Sequence, residues 1–469
     1  MHLTDFSDRL SPMLVKELRQ GLRTRSFIGV FLALQIILAV ILLSAGATAT
    51  SDDAGSTISN IIFIFFSIAV LIIQPMRGIT ALSSEVKGNT IDMMVLTRLS
   101  AWRIVTGKWS AIVSQSALML ITIIPYLILR YFFGGMNLLG EIVLLALVFC
   151  TSAALTAVTV GLSASGSVIL RSILPMLSLP LGAYVLMMMM MFGSGRNQLI
   201  ELCSLETISA QVGIGLYLAA CAYGGFFILS IGTSLIAPYA ENHSTLRRLV
   251  ALAVTLAAIV VCSMPTLVDP EALPFVFVLI FAPLFTISLS EFSTLVPPVY
   301  RRFTKYGHLG RIAAFFLSPG WASGVFFCML LTVLAAIPFF FNASSYKQDE
   351  MIIVTLAFLS SLLFPALLII LFKSKGPIRV SNFILFFVAS FVTSAVLMGV
   401  AESLSNRDFI WLFVWLPPIL LFMSEQSRFD NDSVLISSVI LTLALVIPLM
   451  LFALTNYKKS LEEIRKSES

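Results

Sequence analysis

The chain has 469 residues, of which 58% are hydrophobic and only 11% are charged, and its formal net charge is +5 at pH 7. Soluble domains contain roughly 25% charged residues, so this composition excludes an ordinary soluble protein and predicts a polytopic membrane protein. The apolar runs are continuous rather than alternating, which excludes a transmembrane β-barrel and predicts an all-α fold. The five cysteines are scattered without CxxC spacing, so we expect neither a disulfide framework nor a metal site.

The first predicted element is an amphipathic helix over residues 11–25, in the stretch SPMLVKELRQGLRTRSFIG. Apolar residues recur at helical spacing on one face, and bases occupy the other. Ser11 and Pro12 suit its beginning, because serine caps helix N-termini and proline fits the first helical turn. Such a helix lies along a membrane surface, with its bases toward lipid phosphates or a partner protein. The simpler alternative is a basic anchor that only orients the first span.

Twelve apolar runs are long enough to cross a bilayer as helices, which requires about 20 residues. They lie at 27–47, 58–76, 111–129, 138–164, 168–192, 212–238, 249–266, 273–290, 321–341, 351–372, 380–400 and 434–455. A further run at 409–423 is short and contains Pro417 and Pro418. If 409–423 does not cross and the N-terminus is cytoplasmic, the outer segments keep only five of the 29 basic residues. We therefore expect both termini in the cytoplasm and a re-entrant or interfacial hairpin at 409–423.

The segment between the second and third spans, residues 77–110, is too long for a simple turn. It carries five bases and two acids. An apolar stripe runs through Ile91, Met94 and Val95, and Ser100 suits the start of a short helix. This composition predicts a structured cytoplasmic surface that contacts a partner.

The two segments together carry a family resemblance. The helix PMLVKELRQGLRTRSF before the first span and the pattern E-x4-T-x-D…LTRLS-AWRIVTGK after the second resemble permeases of type-2 ABC exporters. The positions that match the pattern are Glu85, Thr90, Asp92, Thr97, Leu99, Ser100, Gly107 and Lys108. Two positions depart from it, because Asn89 stands where the family has glycine and Arg98 replaces the proline of the turn. The resemblance covers residues 12–240 and implies a six-span permease core in residues 1–240.

The resemblance implies that the N-terminal "elbow" helix and the 77–110 loop, with a cytoplasmic coupling helix, dock onto a separate ATPase subunit. The elbow residues are Lys16, Glu17, Arg19 and Arg23. The coupling residues are Glu85, Thr90, Asp92, Arg98, Trp102, Arg103, Gly107 and Lys108. It further implies residence in the inner or plasma membrane, and a homodimer or pairing with a second permease. The alternative is that these charges cap helix ends and hold the headgroups of membrane lipids.

The second half of the chain, residues 241–469, holds six further predicted spans and is expected to form an accessory membrane domain. The alternative is a degenerate second permease unit, because Ser290-Glu291 echoes Ser84-Glu85 after the corresponding span. In the first half, the stretch 193–211 has the length and polarity of the short re-entrant helices that the family places before its sixth span.

The sequence contains no GxxxxGK[ST] phosphate loop, so we expect this chain to bind no ATP in that manner. Under the resemblance, ATP and Mg²⁺ bind to the partner ATPase, and this chain is neither an enzyme nor a cofactor-binding protein. No nucleic-acid partner is expected. An ion-coupled secondary transporter is the main alternative, although the mid-membrane ionisable residues that such carriers use are nearly missing from the spans. A structural membrane protein without transport activity is a further alternative.

Overall fold

The computed structural model of the chain describes residues 12–48, 54–88, 100–131, 137–165, 200, 203–237, 242–264, 267–268, 270–291, 297–341, 348–372, 378–403, 408–424, 426 and 429–468. Within these ranges every regular element is helical. Eleven of the described helices are long and apolar enough to cross a membrane. Both findings confirm the prediction of an all-α polytopic membrane protein. The eleven helices coincide with eleven of the twelve predicted spans, and the remaining one, 168–192, lies outside the described residues.

The chain divides into two compact units, Met1–Ala237 and Pro238–Ser469, three residues before the division at residue 240 that the sequence suggested. The helices of the first unit are α1 (Pro12–Leu22), α2 (Arg25–Thr48), α3 (Ala54–Ser67), α4 (Gln74–Gly78), α5 (Ser83–Lys87), α6 (Ala101–Tyr131), α7 (Leu138–Ser163) and α8 (Ile208–Ile236).

Two helices of the first unit continue well beyond the predicted spans. The helical stretch of the second span extends to Lys87, and α6 begins at Ala101, ten residues before the third span predicted at 111. A helix that has nucleated in an apolar run adds polar residues at little cost, which explains the early beginning of α6. The short helix expected after Ser100 is therefore the first part of α6, and much of the segment 77–110 is helical.

The second span is not a regular α-helix throughout. Residues Ile68–Ile73 form a π-helical segment between α3 and α4. Segments of this kind occur frequently at functional sites. Here the buried Ser152 of α7 donates a hydrogen bond from its Oγ to the carbonyl oxygen of Val70, at 2.7 Å. This side chain ties the irregular part of the second span to the fourth.

Helices α7 and α8 approach each other closely at two glycines. A Cβ atom built on Gly232 would lie 2.7 Å from the carbonyl oxygen of Gly161, and one built on Gly161 would lie 2.4 Å from that of Ile228. Backbone atoms cannot move aside as a flexible side chain can, so both positions require glycine. Small residues serve this purpose in helix packing within membranes, where close contact replaces the hydrophobic driving force.

The helices of the second unit are α9 (Ser244–Cys262), α10 (Leu273–Ser290), α11 (Pro297–Thr304), α12 (Gly307–Leu317), α13 (Trp321–Ala335), α14 (Ile337–Phe341), α15 (Gln348–Leu371), α16 (Ile378–Ser403), α17 (Asp408–Trp411), α18 (Pro418–Ser424) and α19 (Asn431–Glu468). Neither α17 nor α18 can span a bilayer, because the longer of them has seven residues. The segment 409–423 therefore contains no helix long enough to cross a bilayer, and its re-entrant or interfacial placement stays a prediction. Its buried side chains, which include Leu416 and Ile419, pack among α15, α16 and α19.

All five cysteines are free thiols. Cys203, which lies between spans, is buried in the apolar cluster that includes Phe63 and Leu144. This burial raises the pKa of the Cys203 thiol, so its neutral form is favoured.

Candidate coupling site

The centre of the candidate site is a buried lysine between two carboxylates. Lys108 Nζ lies 2.9 Å from Oε1 of Glu85 and 3.4 Å from Oε1 of Glu17. The lysine side chain is only 8% exposed, and both carboxylates are largely covered. These three residues, here termed the Lys108 cluster, come from α1, α5 and α6. The cluster therefore connects the elbow helix to the end of the second span and to the beginning of the third.

The elbow helix packs directly on α6 at Gly107. A Cβ atom built on this glycine would lie 3.0 Å from Cγ of Met13, which is itself buried. The absence of a side chain at residue 107 lets the two helices approach closely enough for Lys108 to reach Glu17. Gly107 and Lys108, which the sequence singled out as a pair, therefore form the surface of α6 on which α1 packs.

A second group of polar contacts lies around Arg77, which the sequence analysis did not select as a site residue. Its Nη2 donates to Oγ1 of Thr24 at 3.0 Å, and its Nη1 donates to Oε1 of Gln74 at 3.1 Å and to Oε1 of Gln115. The guanidinium also lies 5.7 Å from the ring centroid of Phe27. Arg77 therefore holds the turn after α1 against the second and third spans. The signal in the sequence was the spacing of Gln74 and Arg77, which places them on one helical face.

The end of the second span is fastened to the fourth span as well. The backbone amide of Leu82 donates to Oγ of Ser163 at 3.2 Å, and Leu82 is completely buried. Nearby, Nε1 of Trp109 donates to the carbonyl oxygen of Ala153 at 2.9 Å. We use the term collar for α1 together with residues 82–87 and 101–109. Through these contacts the collar is joined to α7.

The other predicted residues are distributed around the collar. Lys16, Arg19, Arg23 and Arg103 are exposed at its surface, and Lys16 Nζ lies 4.0 Å from Oε1 of Glu17. An exposed pair of this kind contributes little to stability. Thr90, Asp92 and Arg98 lie outside the described residues. The candidate residues that the structure does describe thus divide into a buried charged group and an exposed basic group.

Trp102 is half-buried within its own unit. Its ring contacts Phe226 of α8 edge-to-face, with 5.6 Å between centroids. Both rings line a largely apolar cavity of about 380 Å³ among α6, α7 and α8, which small residues such as Ala153 and Gly225 keep open. The resemblance implies that Trp102 is a coupling residue, and in this structure its ring packs against the sixth span.

No family model, curated protein or solved structure matches this chain. A functional argument therefore depends on the chain's own residues and their geometry. Within the described residues, the Lys108 cluster joins three helices through ion pairs. What the arrangement can do is transmit a displacement of α1 to the second, third and fourth spans.

Proposed function

We propose that this chain is the membrane-spanning permease subunit of an ATP-driven exporter of the type-2 ABC class. A separate ATPase subunit would hydrolyse ATP and drive movement of the spanning helices. The observation that carries this proposal is the Lys108 cluster, which joins the elbow helix to two spans through buried charges. It lies where the sequence resemblance calls for a coupling surface.

A mechanical role needs a stiff element that begins at the coupling surface, and α6 has this property. It runs for 31 residues, which corresponds to about 46 Å at 1.5 Å per residue, and Pro125 lies within its last two turns. A displacement of its first turns is therefore carried through the regular part of the helix, which extends to Pro125. Because Lys108 lies within two turns of the beginning of α6, its ion pairs make α1 and the second span follow the same displacement.

A docking surface also needs exposed groups that a partner can recognise. Arg103 and Lys87 are exposed on the collar, and Val86, next to Lys87 in the chain, is a partly exposed apolar side chain. Basic residues around an apolar contact favour a partner with an acidic groove. Under the proposal, the exposed bases bind the ATPase and the buried Lys108 cluster keeps the collar rigid.

The proposal is tested by reconstituting the full chain in proteoliposomes with the ATPase that co-purifies with it from its own membranes. The chain alone should hydrolyse no ATP, whereas the complex should hydrolyse ATP and move cargo. Arg103→Glu should lower ATP hydrolysis by about tenfold or more, because it places a carboxylate against an acidic groove. Arg98→Glu is a second charge reversal, at a residue that was identified from the sequence and lies outside the described part of the structure.

Lys459→Glu is the matched control, because Lys459 is an exposed base in the other unit, and it should leave hydrolysis unchanged. Full activity of the complex with both Arg103→Glu and Arg98→Glu would contradict the coupling role. Transport driven by an ion gradient in vesicles without ATP would instead favour a secondary transporter and overturn the proposal.

A further inference from the structure

The second unit contains a pair of short helices whose chemistry the proposed function does not use. Helices α11 and α12 lie between the spans α10 and α13, and residues 297–317 include four Lys or Arg residues and no acid. Arg302, Lys305 and Arg311 are all exposed. We refer to residues 297–317 as the basic hairpin. Clusters of this size on amphipathic helices are typical of surfaces that bind anionic lipids.

The basic hairpin also exposes large apolar side chains among its bases. Leu309 is 78% exposed and Ile312 is 59% exposed, and their spacing places them on one face of α12. Tyr306 is similarly exposed at the turn between the two helices. Apolar groups in this position are stabilised when they leave water, and a membrane interface supplies that environment beside the charged headgroups.

A buried arginine fixes the end of the hairpin at the level where the spans end. Arg248 lies in the second turn of α9, is 1% exposed, and forms an ion pair of 2.8 Å with Glu291 at the end of α10. The same guanidinium donates to the carbonyl oxygen of Phe316, also at 2.8 Å. The carboxyl end of α12 is therefore held beside the ends of two helices that are long and apolar enough to cross a membrane, where a bilayer would have its headgroups.

Aromatic contacts hold the same end of α12 against the unit. The ring of Phe315 stacks on Phe326 of α13 at 4.3 Å and meets Tyr457 of α19 edge-to-face at 5.1 Å. At the other end, Gly307 has a φ of +65°, and Gly310 lies so close to the Phe303 carbonyl that a Cβ atom would be 1.8 Å from it. The carboxyl end of α12 is therefore anchored to the unit, whereas the turn between α11 and α12 is exposed.

We infer that the basic hairpin is a docking surface for anionic phospholipids. Arg302, Lys305 and Arg311 bind headgroup phosphates, and Leu309 and Ile312 enter the upper acyl region. Charge complementarity supports this occupant, and so do the apolar side chains among the bases and the fixed position at the ends of the spans. An acidic protein surface would satisfy the bases, but it gives no reason for the hairpin to be held at headgroup depth. This inference does not depend on the proposed coupling to an ATPase.

The test is amide hydrogen exchange of the full chain in nanodiscs of phosphatidylcholine alone or mixed with anionic phosphatidylglycerol. Exchange in residues 307–314 should be slower in the anionic nanodiscs, and high salt should abolish the difference because it screens the charges. Neutralising the bases with Arg302→Ser, Lys305→Ser and Arg311→Ser should weaken lipid binding about fivefold for each base removed. Residues 408–424 serve as an internal reference and should exchange equally in both lipids.

The control variant replaces Arg302 and Arg311 with lysine, which keeps the charge and should keep the lipid-dependent protection. Leu309→Ser with Ile312→Ser tests the apolar contribution separately, at two exposed positions where folding is not at risk. Equal exchange of the wild-type hairpin in both lipids would overturn the inference. Loss of protection in the lysine variant would also overturn it, because such a loss indicates a geometry-specific protein contact rather than attraction to headgroups.

Discussion

Nζ of Lys108 lies 2.9 Å from Oε1 of Glu85, inside the protein and within one unit. The resemblance of the sequence to exporter permeases implies that both residues contact a partner subunit, and that role stays a prediction. Their buried position suggests that buried and exposed residues of the coupling site have different roles. The buried pair holds the collar together, and exposed residues such as Arg103 remain available to a partner.

Removal of the buried lysine should destabilise the collar. Lys108→Met removes the buried cation from between the largely covered carboxylates of Glu17 and Glu85, which should lower the free energy of unfolding by about 3 kcal/mol. Arg103→Met removes an exposed base from the same helix and should change it by less than about 0.5 kcal/mol. Denaturant unfolding in mixed micelles measures both values.

A double-mutant cycle shows whether the cluster acts as a unit. Glu85→Gln and Lys108→Met should be non-additive by about 1 kcal/mol or more, because each removes the same ion pair. If the two changes in unfolding free energy were strictly additive, the Lys108 cluster would not hold the three helices together as a unit.

The guanidinium of Arg248 should be irreplaceable by an ammonium group. Its two terminal nitrogens donate to five acceptors, namely Oε2 of Glu291, Oγ of Ser323, and the carbonyl oxygens of Phe316, Ser318 and Gly320. Lysine offers three donors from one point, so Arg248→Lys should cost about 3 kcal/mol of unfolding free energy. The exposed Arg311 provides the control, since Arg311→Lys should be neutral. A neutral Arg248→Lys would show that the network contributes no stability.

The close crossing of α7 and α8 should tolerate no side chain at Gly232. Gly232→Ala forces a Cβ atom against backbone atoms of Gly161 and should destabilise the first unit by about 2 kcal/mol. Gly224 lies on the same helix with open space around its Cβ position, so Gly224→Ala should be neutral or stabilising by up to about 1 kcal/mol. Thermal unfolding of the two purified variants distinguishes these outcomes, and equal stability would argue against the crossing described here.

Much of the fold was predictable because a bilayer imposes a simple rule on sequence. An apolar run of sufficient length must form a helix in lipid, since no water satisfies its backbone groups. The rule says nothing about where a helix stops outside the lipid, so the early beginning of α6 at Ala101 was not predicted. For the same reason, the sequence did not predict that α9 begins at Ser244, five residues before the predicted span at 249, so that Arg247 and Arg248 lie within the helix.

The candidate site was only partly predictable for a related reason. Charge and spacing identified Glu85 and Lys108 as important, but their partners depend on which helices pack together. The contact between Lys108 and Glu17 joins residues 91 positions apart, and that between Arg248 and Glu291 joins residues 43 apart. No local pattern encodes such pairs, because they arise from tertiary packing of separate helices.

The number of spans determines whether the two ends of the chain lie on the same side of the membrane. Eleven spans are found among the described residues, and the predicted span at 168–192 would make the total even. An even total places both ends on one side, and the distribution of bases predicts that this side is the cytoplasm. Cysteines introduced at Lys16 and Lys459 should therefore react with a membrane-impermeant maleimide only after the cells are permeabilised.

Asn431→Cys should give the opposite result, because residue 431 begins α19 at its predicted outer end and is exposed. It should react in intact cells. Background labelling should be low, since three of the native cysteines are buried and Cys150 and Cys221 lie within spans. If Lys16→Cys and Lys459→Cys react from opposite sides, the number of spans is odd, and residues 168–192 do not cross the membrane. Such a result would also move one of the two ends out of the cytoplasm and require a different topology for the unit in which it lies.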